Sequence, residues 1–427
     1  MSDPSRRRFL ASLGIAALSP ALANSLLGQD SPMTADSTPA SRGIRIRTIT
    51  AGVEMDHIGD RAAVERALAL LARARARFES AGYEVQTTRV AMPPVLASLD
   101  AKAREAALAS IVDIDSLVSS KGAVCSLGPV LTADRADPEL GAWSSEMVKA
   151  TKSTFFSLVI ASYQGGVHAR GAMAAAQVLH AVAGAVPNGK GSFRFAAAAN
   201  IPAGTPFFPV GWHDGPASLA IGLESADLVR MSFIGAKGFD DARRTLTERM
   251  TTELKLVETI AAGLAEAESV VYRGIDSSPA PMGDRSIGAA LEVLTGVPFG
   301  DAGTLRACAM VTEVLKSIPV RQCGYAGLML PVLEDIVLSK RAIEGRYGMR
   351  DLLLFSSVCG TGLDVVPIPG DTPIETLANI LLDVAAQSVM LKKPLSARLY
   401  LIPGAKPGDP VHTGDPMFTD AVVFRAT

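Results

Sequence analysis

The sequence predicts an α/β protein built on one large, mainly parallel sheet. Two observations carry this. Strand-like apolar runs alternate with amphipathic helical stretches from residue 44 onward. No linker rich in Pro, Gly or Ser after residue 42 cuts the chain into independent halves. Composition agrees: of 427 residues 48% are hydrophobic, and 41 Lys+Arg against 43 Asp+Glu leave a net charge of −2. With no basic run, nucleic acid is excluded as the main partner, because phosphate backbones are held by clustered Lys and Arg.

The first 23 residues, MSDPSRRRFLASLGIAALSPALA, place Arg6-Arg7-Arg8-Phe9-Leu10 before a modest apolar stretch ending in Ala21-Leu22-Ala23. This is the pattern of a twin-arginine signal peptide. It predicts a periplasmic or extracellular protein that meets the twin-arginine translocase already folded and keeps no membrane span after cleavage. Residues 24–42, rich in Ser, Thr, Pro and Asp, read as a flexible leader, which leaves 43–427 as a single domain. The four cysteines, Cys125, Cys308, Cys323 and Cys359, lack metal-type C-x-x-C spacing. Oxidation outside the cytoplasm could pair some of them; burial as small hydrophobes is the plain alternative for Cys125 and Cys308.

Residues 44–50 alternate apolar and polar, the period of a strand with one covered face. Residues 61–81 set Val64, Leu68, Leu71 and Phe78 at helical spacing, with Gly82 as a stop, and 83–90 reads as the next strand. Further strands are expected at 123–130, 154–161, 193–199, 227–233, 269–275, 326–331, 351–358 and 396–402, and helices at 168–186, 240–266, 333–344 and 373–391. The total is about ten strands, more than an eight-stranded barrel uses.

In parallel α/β architectures ligands gather where strands end, which gives four segments weight. AAAANIPAGTPFFPVGWHDGP carries Asn200, Thr205 and His213, and Glu224 follows the apolar run 219–223. The plain alternative for His213 is a histidine satisfied by backbone. GIDSSPAPMGDRSIG carries Asp276, which suits a general base and equally a turn. GYAGLMLPVLEDIVLSKRA carries Glu334 and Asp335, which cannot face the same way on a helix. Either could merely favour the helix start. RDLLLFSSVCGTGLDVVPIPGDTPIETL sets Cys359 at the tip of the 351–358 strand, in a loop whose glycines would let backbone N–H groups approach a ligand, with Asp364 and Asp371 close by. Thr372-Pro373-Ile374-Glu375 reads as a capping box.

Cys359, Glu334, Asp276 and His213 are therefore the candidate catalytic groups, a thiol or acid/base set. Asn200, Thr205, Glu224, Asp335, Asp364, Asp371 and Arg398 are the candidate substrate-binding groups, with Arg398 and Lys393 suited to an anion. No Walker loop, G-x-G-x-x-G, G-x-S-x-G or H-E-x-x-H occurs, so nucleotide, dinucleotide, α/β-hydrolase and zincin readings lose their support. The cofactor is unknown, and a divalent metal, which would rest on Asp, Glu and His213, is not indicated.

The stretches ANIPAGTPFFP, GIDSSPAP, GYAGLMLPVLED and SVCGTGLDVVPIPGDT, with RTITAGV and AGYEVQTTRVAMPP, resemble the domain-of-unknown-function 711 family, also called uncharacterised protein family 0210. The resemblance covers about residues 44–425. It carries no settled activity, and it implies a fold similar to the barrel of about ten strands in pyruvate formate-lyase-like enzymes. That fold suggests radical chemistry, but the chain ends GDPMFTDAVVFRAT, without the Arg-Val-x-Gly-aromatic context of a glycyl radical, and a radical mechanism is rejected. Family members are usually cytoplasmic, so the export signal is a second departure. Fold likeness does not fix function. The reading is a non-radical enzyme acting on a small polar or carboxylate-bearing molecule at the barrel mouth. The alternative is an exported protein that binds a small metabolite without transforming it; homo-oligomerisation is left open.

Overall fold

The computed structural model describes residues 38–39 and 41–426, so the expected signal at 1–23 and most of the expected leader lie outside the described residues. From Thr38 on, the chain forms one compact unit. Its elements run β1 (Arg45–Gly52), α1 (Arg61–Ser80), β2 (Val85–Ala91), α2 (Ala101–Ala106), α3 (Leu108–Ser120), β3 (Val124–Pro129), α4 (Leu140–Ala150), β4 (Thr154–Ser162), β5 (Gly166–Val167), α5 (Ala169–Ala183), α6 (Lys190–Phe193) and β6 (Phe195–Ala199). There follow β7 (Ser218–Glu224), α7 (Ala226–Phe233), α8 (Phe239–Ala267), β8 (Val271–Ala280), α9 (Ile287–Thr295), α10 (Thr304–Ser317), α11 (Ile336–Ile343), α12 (Met349–Ser356), β9 (Gly362–Pro369), α13 (Ile374–Leu391), β10 (Leu395–Ile402), β11 (Pro410–Val411) and β12 (Ala421–Val422).

Ten strands form one sheet in the order β8-β7-β1-β2-β3-β4-β6-β10-β9, with β5 paired to β4. Strands β1, β2, β3, β4 and β6 run parallel. The pair β7 and β8 lies antiparallel to β1, and the pair β10 and β9 antiparallel to β6. The sheet is thus mostly parallel, as expected. The expected barrel is not closed: among the described strands the ladder ends at β8 on one side and β9 on the other. Residues 322–335 lie between these edges, joined by isolated bridges from Gln322 to Ile275 of β8 and from Pro331 to Asp364 of β9. Gly324, Gly327 and Pro331 interrupt this segment, which explains why the strand expected at 326–331 does not form.

Two other expected strands are helices. Residues 226–233 bury Leu228, Val229, Ser232 and Phe233, and residues 349–356 bury Leu352, Phe355 and Ser356, both sets one helical turn apart. The strands lie instead at β7 and β9, just before and just after these helices. A short apolar run carries no decisive period, and the Gly348 N–H donating to Asp351 Oδ2 at 2.8 Å fixes the start of α12. In β1 the alternation holds but the expected open face does not, since every residue after Arg45 is buried. The expected capping box is also absent. Pro373 occupies the cap position of α13, and the Thr372 hydroxyl donates to the Pro369 carbonyl at 2.7 Å. By length and composition alone α13 could cross a bilayer; here it buries Leu377, Leu381 and Val384 against the sheet.

Two irregular segments fill the sheet's inner face. Residues 201–213, following β6, are tied down where the Thr50 and Ser126 hydroxyls donate to the carbonyls of Pro206 (3.0 Å) and Pro209 (3.2 Å). The second, 322–335, is held by two buried carboxylates. Asp276 accepts from the Ser278 hydroxyl (2.6 Å) and from the backbone N–H groups of Ser278, Tyr325 and Ala326 (3.1, 2.8 and 3.0 Å). Asp335 accepts from the Ser286 hydroxyl (2.6 Å) and from the N–H groups of Ile287 (2.6 Å), Gly288 (3.2 Å), Val337 and Leu338 (both 3.0 Å). One carboxylate thereby caps α9 and α11 together. Removing it strands several buried donors, so Asp335→Ala is expected to lower stability by about 2–4 kcal/mol. The shift of the urea midpoint measures this, and an unmoved midpoint would show that the anchor is dispensable.

Candidate functional site

A cavity of about 150 Å³ opens on the inner face of the sheet. Its wall is formed by residues at or next to the start of β3, β4 and β6 (Val124, Phe155, Ala196), by Phe207 and Phe208 from the 201–213 segment, and by Tyr325 and Met329 from the 322–335 segment. The amino-terminal ends of these parallel strands carry it, opposite to the end that strand-end reasoning favours.

Five buried charged side chains converge on this cavity: Arg47, Arg89, Glu334, Asp364 and Arg398. Glu334 stands between two guanidinium groups, accepting from Arg47 Nη2 through Oε2 at 3.0 Å and from Arg398 Nη2 through Oε1 at 2.9 Å. Arg398 also donates through Nε to Asp364 Oδ1 at 2.7 Å, and its guanidinium lies 4.8 Å over the Phe193 ring. Burial raises the Asp364 carboxyl above its ordinary value, with the Arg398 cation pulling the other way.

Arg89 differs from its neighbours. Its Nε donates to the Thr87 hydroxyl at 3.3 Å, and its guanidinium covers the Phe208 ring at 5.2 Å. Among the described residues no carboxylate lies within ion-pair distance of it. Burial, with repulsion from Arg47 and Arg398, pushes its pKa down to about 9. Beside it, the Tyr325 hydroxyl donates to Ser396 Oγ at 2.7 Å, and Ser396 Oγ donates to the Thr361 carbonyl at 3.1 Å. Among the described residues, no group of three or more His, Cys, Asp or Glu side chains is placed to hold a metal ion.

A family description, Uncharacterised ACR (DUF711), matches residues 40–413. The chain belongs to the DUF711 family. A UPF0210 protein from Pyrobaculum islandicum is 32% identical over 405 residues, covering 86% of this chain and 87% of its own. Another from Pyrobaculum aerophilum is 34% identical over 232 residues, 51% of each chain. A third, from Methanopyrus kandleri, is 29% identical over 283 residues, 63% of this chain and 62% of its own. The family is uncharacterised.

Of the residues singled out in the sequence, the cavity gathers Glu334, Asp364 and Arg398. Glu224 stands behind it at the end of β7, 4.0 Å from Arg47 and bonded to Arg45 (3.2 Å) and Arg285 (2.5 Å). Asp276 and Asp335 are spent on backbone N–H groups, as described above. His213 is wholly buried, its Nε2 2.9 Å from the carbonyls of Gly215 and Pro216 and its Nδ1 3.2 Å from Ser218 Oγ; burial lowers its pKa. That is the backbone-satisfied histidine of the plain alternative. Thr205 closes a turn by donating to the Pro202 carbonyl at 2.7 Å. Asn200 donates to Ser388 Oγ at 2.8 Å and lines a separate pocket with Trp212. Asp371 is exposed.

Cys359 does not sit at a strand tip. It follows α12, is fully buried, and receives the Gly362 N–H on Sγ at 3.4 Å. It lines no part of the cavity. Its neighbouring glycines serve chain contact instead of a ligand: a Cβ on Gly360 would meet the backbone of Gly327 at 2.5 Å. Lys393 is buried as well, donating to the carbonyls of Ser357 (3.0 Å) and Cys359 (2.6 Å). All four cysteines are free thiols, and burial pushes Cys125 up to about 12.

Arg47, Arg89, Tyr325 and Ser396 escaped the sequence reading. The available signal was an arginine inside each of two β-branched strands, Arg47 in RIRTITAG and Arg89 in VQTTRVA, which reads most simply as a solvated face. Since Glu334 compensates two buried cations, Glu334→Gln is expected to cost about 3 kcal/mol or more, measured by guanidinium denaturation. A loss below about 1 kcal/mol, the range of a surface pair, would show that the network does not depend on it.

Proposed function

We propose that the cavity binds a small carboxylate-bearing metabolite and that the protein is a non-radical enzyme acting by acid/base chemistry. The observation that carries this reading is Arg89, a buried guanidinium without a carboxylate of its own, set beside the carboxyl pair of Glu334 and Asp364. An uncompensated buried cation is costly, and a ligand carboxylate on its free edge supplies the missing charge through bidentate hydrogen bonds. Asp364, with its carboxyl raised by burial, is the group suited to exchange a proton with the bound molecule. Arg398 holds it in place, and Glu334 keeps Arg398 and Arg47 apart. The thiol version of the chemistry loses ground because Cys359 lines no part of the cavity.

One observation favours a second reading, a binding protein without turnover: both carboxylates are already engaged by guanidinium groups. Recovery of the ligand unaltered after long incubation would decide for it. The bridges of residues 322–335 to β8 and β9 support reading the sheet as an incompletely closed barrel of the pyruvate formate-lyase-like kind. The Arg6-Arg7-Arg8 amino terminus supports export by the twin-arginine translocase, which would place binding in the periplasm or outside the cell.

Arg89→Met is expected to weaken acetate binding at least tenfold, measured by calorimetry on the full chain at pH 7, and undiminished binding in this variant would overturn the assignment. Affinity is also expected to fall as pH rises through the raised titration range of Asp364, because its ionisation adds a negative charge to the site.

A further inference from the structure

Resting on that reading, we infer that the ligand is an aromatic monocarboxylate of about the size of benzoate, and not a small dicarboxylate or a phosphate. Three independent features of the cavity point to it.

The first is charge. The cavity wall carries three guanidinium groups and two carboxyl groups. Arg47 and Arg398 share Glu334 and Asp364, Arg47 also stands 4.0 Å from Glu224 behind the wall, and Arg89 has no carboxylate within ion-pair distance. With Asp364 ionised, one negative charge closes the balance of these five groups. A dianion would bring a second charge into a buried site with no free cation to receive it, which is a large desolvation cost.

The second is the rest of the wall. Ala196, Phe207, Val210, Ala280, Tyr325 and Met329 belong to a buried apolar cluster distinct from the main core, and all six line the cavity. The cluster's contacts are left to be completed by an apolar body, and the aromatic members offer edge and face contacts to a ring.

The third is volume. About 150 Å³ is the size of an apolar cavity that takes up a benzene ring. Phe208 covers one side of the Arg89 guanidinium, and a carboxylate pairs with a guanidinium in its plane, along its edge. A carboxylate conjugated to a ring is coplanar with it, and one planar molecule then reaches from Arg89 to the apolar cluster. Acetate leaves most of this space unfilled.

The test is calorimetric titration of the full chain at pH 7 with benzoate, acetate, succinate and inorganic phosphate, repeated on Arg89→Met and on Ala280→Leu. Benzoate is expected to bind at least tenfold more tightly than each of the other three and to lose at least tenfold in Arg89→Met. Ala280→Leu, which fills the apolar end, is expected to weaken benzoate at least fivefold. Succinate or phosphate binding as tightly as benzoate, still dependent on Arg89, would overturn the aromatic monocarboxylate while sparing the anion site. Binding of none of the four, or binding indifferent to Arg89, would overturn both. The ranking of the four anions is read on the unsubstituted protein, so it stands even where a variant fails to fold.

Discussion

Residues 322–335 cross the space between two sheet edges with almost no ladder to satisfy their backbone, and the rest of the site depends on how that deficit is met. Buried N–H groups must find acceptors. Asp276, from β8, takes those of Tyr325 and Ala326, and Asp335, within the segment itself, turns outward to the starts of α9 and α11. Carboxylates do here what a neighbouring strand would otherwise do. With both ends fixed, the segment presents Tyr325, Met329 and Glu334 to the cavity while its glycines and Pro331 keep it out of the sheet.

The charged wall follows from this placement. Glu334 is delivered by the anchored segment, Arg47 by β1, and Asp364 and Arg398 by adjacent positions of β9 and β10. Four elements far apart in sequence thus meet in one chain of ion pairs, in which each carboxylate has a guanidinium partner. Arg89 enters from β2 and breaks the alternation. Among the charged side chains of the cavity wall it is the cation without a carboxylate within ion-pair distance, and the proposed ligand site rests on that difference.

Much of the fold was legible because long amphipathic stretches and buried strands have distinct periods. Helix α1 shows Val64, Leu68, Leu71 and Phe78 on its covered side, and β4 and β10 stand where their apolar runs are. The errors cluster at short runs. ADLVRMSF and MRDLLLFS have strand-like composition, and neighbouring elements settle them as helices, with SLAIGLE and GLDVVPIP as the true strands. The site was legible only in part, for a related reason. Glu334, Asp364 and Arg398 stood out because they follow apolar residues, whereas Arg47 and Arg89 sit at polar positions of alternating strands and look like surface. Asp276 and His213 stood out equally, but a buried polar side chain that serves its own backbone cannot be told from one that serves a substrate until the partners are seen.

The contact between Gly327 and Gly360 has a consequence for how this sequence can vary. The two backbones touch with no side chain between them, Gly360 donating its N–H to the Leu328 carbonyl at 2.8 Å, and a Cβ on either glycine would fall 2.5–2.6 Å from main-chain atoms of the other. An ordinary packing clash is relieved by trimming the neighbouring side chain. Here there is nothing to trim, so no second substitution can rescue the first. Both positions are closed to every other amino acid at once, and drift in the segments around them has to proceed with these two glycines as fixed points.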